Sequence, residues 1–329
     1  MKAEVLCVRD DMPMTAKTVG RVVIAIITYR RPDDLRAVLP QVLDQVAEAH
    51  RRYGVEFSVL VVDNHADATG SRVIDQLSDD RVRYVVEPMP GIAAARNRAL
   101  RESSDDDVLI FIDDDERPEP GWLESLLETY RSTCADAVSG AVISSFSGPL
   151  DEWIVAGKFF SRRRLTTGTS IDVAATNNLL LDLATVRRLG LCFDERFGQS
   201  GGSDTLFTRS LVSSGARMVW CDEAVVVDHV PAERMTRRWV LLRALRSGNS
   251  WSRTSIVLAE SGLQRLRVRV SLTALGLPRV VGGVARYVVG AITGSPGHRA
   301  SGLRTLARGS GMISGAYGYV YREYRRKAS

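Results

Sequence analysis

The chain has 329 residues, 45% of them hydrophobic and 25% charged, a globular composition that excludes extended disorder and collagen-like structure. Its net charge of +5 conceals a split: from Arg234 onward 17 Arg and one Lys stand against Glu260 and Glu323, a net +16, so residues 1–233 carry −11. A basic tail of this size implies an anionic partner such as a lipid surface or a nucleic acid. Cys7, Cys134, Cys192 and Cys221 have neither zinc-site spacing nor the density of a disulfide scaffold, which fits a reducing cytoplasm. The first residues carry Asp10 and Asp11 and no apolar core, so they do not read as a signal peptide.

Residues 1–19 read as a loose leader. Val22–Thr28 (VVIAIIT) is a continuous β-branched run, the pattern of a strand covered on both faces. Pro32, Asp33 and Asp34 then open a helix whose apolar residues Leu35, Val38, Leu39, Val42, Leu43 and Val46 repeat with helical spacing. Phe57–Asp63, Val82–Glu87 and Asp107–Asp113 read as further strands, with the helix GIAAARNRAL between the last two. Strands alternating with helices predict an α/β fold, a doubly wound and mostly parallel sheet with helices on both faces. After Asp115 come the helix GWLESLLETYRS, the strand DAVSGAVIS, the strand–helix segment ATNNLLLDLATVRRLG and the Gly-rich loop FDERFGQSGGSD. The helix TLFTRSLVSSG and the strand AVVVDHV follow. The domain is expected over 20–233, followed by a basic, mainly helical region over 234–329. Trp239–Arg253 reads as helix, whereas Arg265–Val270 (RLRVRV) alternates with period two and fits strand or helix. The tail's longest uncharged runs, Val270–Pro278 and Tyr287–His298, fall short of the roughly 18 apolar residues of a span, so the tail is expected to lie on a membrane rather than cross one.

Open parallel sheets bind ligands just past the carboxyl ends of their strands. Four polar groups fall there: Thr28-Tyr29-Arg30-Arg31, Asp63-Asn64, Asp113-Asp114-Asp115 and Asp228-His229. The run Asp105-Asp106-Asp107 precedes its strand and reads as a solvated loop. Carboxylates clustered as in the later triplet repel one another unless a cation sits between them, and hard oxygens suit Mg²⁺ or Mn²⁺. An acidic turn leading into the next helix would carry the same residues.

The successive segments VVIAIITYRRPDDLRAVLPQVLDQ, VLVVDNHADATG, EPMPGIAAARNRAL, VLIFIDDDERPEPGWL and GGSDTLFTRSLVSSG, with a later DHVP followed by Arg234, Thr236 and Trp239, resemble family 2 glycosyltransferases of the GT-A fold. The likeness extends to the succinoglycan-type enzymes of exopolysaccharide assembly. It covers about Val22 to Asn249 and rests on the order of its motifs rather than on any single one.

The resemblance implies a site. Thr28, Tyr29 and Arg31 would line a nucleotide pocket, with Asp63 accepting from uracil and Arg96 approaching the nucleotide. Asp113 and Asp115 match the D-x-D pair, the first toward ribose or metal and the second toward the metal on the diphosphate, with Asp114 between them. Asp204, closing Gly201-Gly202-Ser203-Asp204, matches the catalytic base. Ser203 stands where the family carries Glu, and either Ser203 or Asp204 would also serve as a helix cap. His229 is expected at the metal or diphosphate. Of Asn177 and Asn178, adjacent on a strand, at most one faces the donor sugar, and Asn178 is the candidate, with Gly202 and Ser203 as further donor or acceptor contacts.

The implied activity is an inverting, metal-dependent hexosyl transfer from a nucleotide sugar, UDP-linked by preference. The acceptor would be a hydroxyl of a glycan or lipid-linked intermediate, on the cytoplasmic side of an anionic membrane, with Mn²⁺ or Mg²⁺ as cofactor and no nucleic acid as partner. A nucleotidyltransferase would need a Gly-rich triphosphate loop after the first strand, and a dinucleotide-binding oxidoreductase would need G-x-G-x-x-G there; ITYRRPDD contains no glycine. A non-catalytic scaffold of glycan assembly would have no use for intact Asp113, Asp115 and Asp204.

Overall fold

The computed structural model describes residues 19–321 and, before them, the antiparallel pair β1 (Val8–Arg9) and β2 (Met12–Pro13). The remainder of the expected leader lies outside the described residues. The elements that follow are β3 (Arg21–Thr28), α1 (Pro32–Tyr53), β4 (Glu56–Asp63), α2 (Ser71–Leu77), β5 (Val82–Val86), α3 (Ile92–Glu102), β6 (Val108–Asp113), β7 (Glu116–Pro118) and α4 (Trp122–Thr133). Next come β8 (Ala137–Phe146), α5 (Glu152–Ala156), β9 (Asn178–Asp182), α6 (Leu183–Arg188), α7 (Ser203–Ser213), β10 (Met218–Val230), α8 (Arg237–Val257), α9 (Gly262–Ile292) and α10 (Pro296–Ala316).

The chain forms two compact units. The first comprises the described residues up to Ile143, together with Arg163–Glu195 and Phe207–Asp228. The sheet order is β5-β4-β3-β6-β9-β8-β10-β7. Pairs β5·β4, β4·β3 and β3·β6 are parallel, and β6·β9, β9·β8 and β10·β7 are antiparallel. Alternation along β3 explains why its whole run is apolar. Val22, Ile24 and Ile26 join α1 and α4 through Leu35, Val38, Leu39 and Trp122, while Val23, Ala25 and Ile27 face Ala95 of α3 and Phe207 of α7.

On the antiparallel side, Asn178 ties three elements together. Its amide nitrogen donates to the carbonyls of Ala141 and Ala224, and its oxygen accepts from Trp122 Nε1. A Cβ on Gly140 would overlap both the Asn178 amide and the Ala224 carbonyl. Gly140→Ala is therefore expected to lower stability by about 3 kcal/mol, read as a drop in the urea midpoint at unchanged m-value.

The second unit comprises Ser144–Arg162, Arg196–Leu206 and the described residues from His229. It contains most of the expected basic region, which is helical. Thr236 caps α8 by accepting from Trp239 N–H. Trp239 lies parallel to Phe160, and with Trp153, Ile154, Val240 and Ala300 they form a small core. Helices α9 and α10 pack through glycines. A Cβ on Gly283 would lie 2.6 Å from Leu306 N and 2.8 Å from Gly302 O, and one on Gly276 would lie 3.2 Å from Gly309 O. Gly276, Gly283 and Gly290 recur every seventh residue, which keeps them on one face of the helix. RLRVRV lies within α9: Val268 packs toward Leu272 and Met312, and Arg265, Arg267 and Arg269 are exposed. Folded as one 31-residue helix with a mean hydropathy of 1.3 over its most apolar window, α9 is long and apolar enough to cross a membrane by length and composition, which uncharged runs alone do not reveal.

Candidate active site

Register places the expected nucleotide residues on one edge of the first unit. Thr28 pairs with Asp63 and Ile27 with Asp113, so β3, β4 and β6 end together. Asp63 is not open to a base: it is 0% exposed, and its carboxylate accepts from the His65 and Gly70 amides, the Tyr84 hydroxyl and the Thr69 hydroxyl. It shapes the β4–α2 loop, a role an Asx turn at a strand end supplies. That loop carries His65, whose ring lies 5.4 Å from the Tyr29 ring and accepts from Arg30 Nε at 2.9 Å. Asn64 holds the neighbouring loop, donating to the Glu87 and Met89 carbonyls and accepting from the Gly91 amide. Gly91 has φ 129°, which favours glycine at the turn into α3.

The triplet splits by role. Asp114 is buried and accepts from Thr28 Oγ1 at 2.8 Å and Arg31 Nη1 at 2.9 Å. Burial pushes its carboxyl up to about 6, against the pull of Arg31. Arg31 also reaches Asp115 Oδ2 at 2.9 Å; burial would lower its guanidinium, but the charges of Asp114 and Asp115 prevail and raise it. Arg117 donates to the carbonyls of Asp114 and Glu116 and so fixes the turn from within. Thr28, Arg31 and Asp114 thus brace the turn that presents Asp113 and Asp115.

Glu116, absent from the sequence reading of the site, and Asp228, read there beside His229, complete the group. Glu116, on β7, is 1% exposed; Asn177 donates to its Oε1, and its Oε2 is buried without a partner. Burial raises the Glu116 carboxyl well above the usual range, and Asp113, Asp115 and Asp228 add to the shift. Register sets Asp228 of β10 directly opposite Glu116. Cross-strand partners share a face and successive strand residues alternate, so Asp228 lies on the Glu116 face and His229 does not. Alternation thus speaks for Asp228 rather than His229, and the expectation for Asn178 is corrected. Asn178 is consumed in the core, and Asn177 is the amide that meets the acidic group. β9 is buried on both faces, so the sequence carried no signal for the choice of asparagine, and Glu116 joins the group through the pairing of β7 with β10.

Among the described residues, no three of these side chains already stand in metal-holding geometry. The donor set nevertheless fits a hard divalent cation: every donor is a carboxylate oxygen, and Glu116 Oε2 is an orphaned buried acceptor.

Arg96 of α3 is buried, its guanidinium 5.6 Å from the Phe193 ring centroid, and Asn97 bonds both the amide and the carbonyl of Phe193. Asn97 thereby anchors the start of the Gly-rich loop. Asp204, with Gly202, Ser203 and His229, belongs to the second unit. There Arg253 of α8 donates to Ser200 Oγ at 2.7 Å and lies over Phe197, and Ser250 reaches Gly201 O. Gly201 and Gly202 have φ of 74° and 97°, and a Cβ on Gly202 would lie 3.0 Å from Ser250 Cβ. Gly202 has no side chain and Ser203 is buried. Asp204 is half-buried in the first turn of α7, and the macrodipole favours a carboxylate there.

Comparison with known proteins gives consistent results. The Glycosyl transferase family 2 model matches residues 23–186. The succinoglycan biosynthesis protein ExoM of Rhizobium meliloti (strain 1021) is 33% identical over 233 residues, 70% of this chain and 74% of its own length. Glycosyltransferase AglE of Haloferax volcanii is 26% identical over 214 residues, 63% of this chain and 66% of its own. Among solved structures, mannosyltransferase PcManGT from Pyrobaculum calidifontis, in complex with GDP-Man and Mn²⁺, is similar at a TM-score of 0.59 and 16% identity, covering 91% of this chain and 88% of that one. GalNAc-T7 with UDP, GalNAc and Mn²⁺ gives 0.53 at 11% identity, covering 75% of this chain and 52% of that one. These two structural likenesses speak for the α/β GT-A fold.

Proposed function

Since the chain belongs to glycosyltransferase family 2 and is a glycosyltransferase, we propose that it moves a hexose from a nucleoside-diphosphate sugar, UDP-linked by preference, to a hydroxyl of an exopolysaccharide or lipid-linked glycan intermediate with inversion. The observation that carries this reading is the acidic group Asp113, Asp115, Glu116 and Asp228 beyond the carboxyl end of β6, with one buried carboxylate oxygen unpartnered.

Each residue then has a task. Tyr29 and His65 offer the base a ring surface, while Asp63 and Asn64 hold the loops around it. Thr28, Arg31 and Asp114 hold the acidic turn in place. Asp113, Asp115 and Asp228 would hold a divalent cation, with Glu116 behind them. Bound there, such a cation supplies positive charge against the diphosphate. Asp204 accepts the proton of the acceptor hydroxyl as its oxygen bonds to the anomeric carbon. The anomeric carbon–phosphate oxygen bond breaks, and its electron pair leaves on the nucleoside diphosphate. Attack on the face opposite the leaving group inverts the centre.

Calorimetric titration with UDP, GDP and TDP, with and without Mn²⁺, tests the reading. UDP is expected to bind in the presence of Mn²⁺, with the affinity lost without metal and in Asp115→Ala. A preference for GDP or TDP would move the donor to another nucleotide class, and failure of all three with folded protein would overturn the proposal.

A further inference from the structure

We propose that the outward face of α9 docks this protein onto an anionic lipid surface, with the helix lying along that surface. In a helix of a water-soluble unit the large apolar residues face the core. Here the order is reversed. Gly276, Gly283 and Gly290 face α10, and the large residues on the opposite side are open: Leu266, Val270, Leu277, Val281, Val284 and Val288 are each 46–60% exposed. At 100° per residue these six fall within one narrow stripe, interrupted by no acidic side chain. A contiguous exposed apolar stripe marks an interaction surface.

Charge selects the occupant. From Arg234 to Tyr321 the only acidic residue is Glu260, against 14 arginines. A second copy docked on this stripe would bring two strongly positive helical regions together, whereas an anionic lipid surface complements them. Arg304 records the crowding: burial lowers its guanidinium, and Arg286 and Arg308 lower it further.

Orientation follows from the neighbouring helix. A perpendicular span would carry Arg279 and Arg286 into hydrocarbon and drag along α10 with Arg299, Arg304 and Arg308. Lying flat, α9 immerses the apolar stripe alone and leaves the glycine face, α10 and the arginines on the water side. The inference does not depend on the transferase reading, although a lipid-linked acceptor would be met at the same surface.

Co-sedimentation of the full chain with vesicles of phosphatidylcholine, with and without phosphatidylglycerol, tests it. Binding is expected to the phosphatidylglycerol vesicles, to weaken with salt, and to be released by alkaline carbonate. The double substitution Leu277→Glu/Val281→Glu is expected to weaken the partition at least about tenfold, with Leu266→Gln/Val270→Gln acting in the same direction from the other end of the stripe. Both pairs sit on exposed positions, and unchanged nucleotide affinity reports that the fold and the donor site are intact. Unimpaired vesicle binding by both variants, or no binding by the parent, overturns the proposal. So do retention after carbonate, which would mean a span, and a dimer in sedimentation velocity that the substitutions abolish, which would mean that the stripe covers a second copy.

Discussion

Asp204→Asn is expected to lower kcat by about three orders of magnitude while leaving nucleoside-diphosphate affinity and thermal stability near those of the parent. An acceptor hydroxyl is a poor nucleophile until its proton has somewhere to go, and the amide has the shape of the carboxylate without its basicity. The substitution is otherwise quiet. Asp204 is half-buried in the first turn of α7 and accepts from the Thr205 amide, a role the Asn oxygen keeps, while the loss of charge at the helix N-terminus costs a few tenths of a kcal/mol. The loop before it is held by other groups: Arg253 on Ser200, Ser250 on Gly201, and the left-handed glycines 201 and 202. A fall in kcat at constant donor KM therefore reports the chemical step. Were Asp204 only a helix-start residue, Asn would serve nearly as well and transfer would drop less than about tenfold; that result would remove it as the base.

The parallel half of the sheet was legible because a strand buried on both faces must be apolar throughout, as Val22–Ile27 are, and because α1 announces itself with Pro32, Asp33 and Asp34. The same property hid the antiparallel half. β9 is so fully buried that LLL says nothing of which asparagine points where, and the choice between Asn177 and Asn178 required the register of β6, β8 and β9. Asp63 was visible as a strand-end acid, but its burial depended on Gly70 and Tyr84 arriving from the β4–α2 loop and β5. In α9, three alternating residue pairs in RLRVRV spoke for period two, whereas the longer repeat of Gly276, Gly283 and Gly290 is what decides the segment. Glu116 was read past because the D-x-D pattern stops one residue short of it.

Asp228→Ala and His229→Ala are expected to differ sharply, although the two residues are neighbours. With β7 and β10 in register at Glu116 and Asp228, the Asp228 carboxylate belongs to the acidic group and the His229 ring to the other face. Mn²⁺-dependent nucleoside-diphosphate affinity should fall about 100-fold in Asp228→Ala and change less than about twofold in His229→Ala. A second readout separates ligation from mere structure. Without metal, Asp113, Asp115, Glu116 and Asp228 repel one another, so removing one charge should raise the melting temperature of the metal-free protein. Adding Mn²⁺ should raise the melting temperature of the parent through binding to the folded state, and raise that of Asp228→Ala little. A purely structural aspartate would give the opposite pair of signs, a less stable metal-free protein and an intact response to Mn²⁺, and that pattern would return the ligand role to His229.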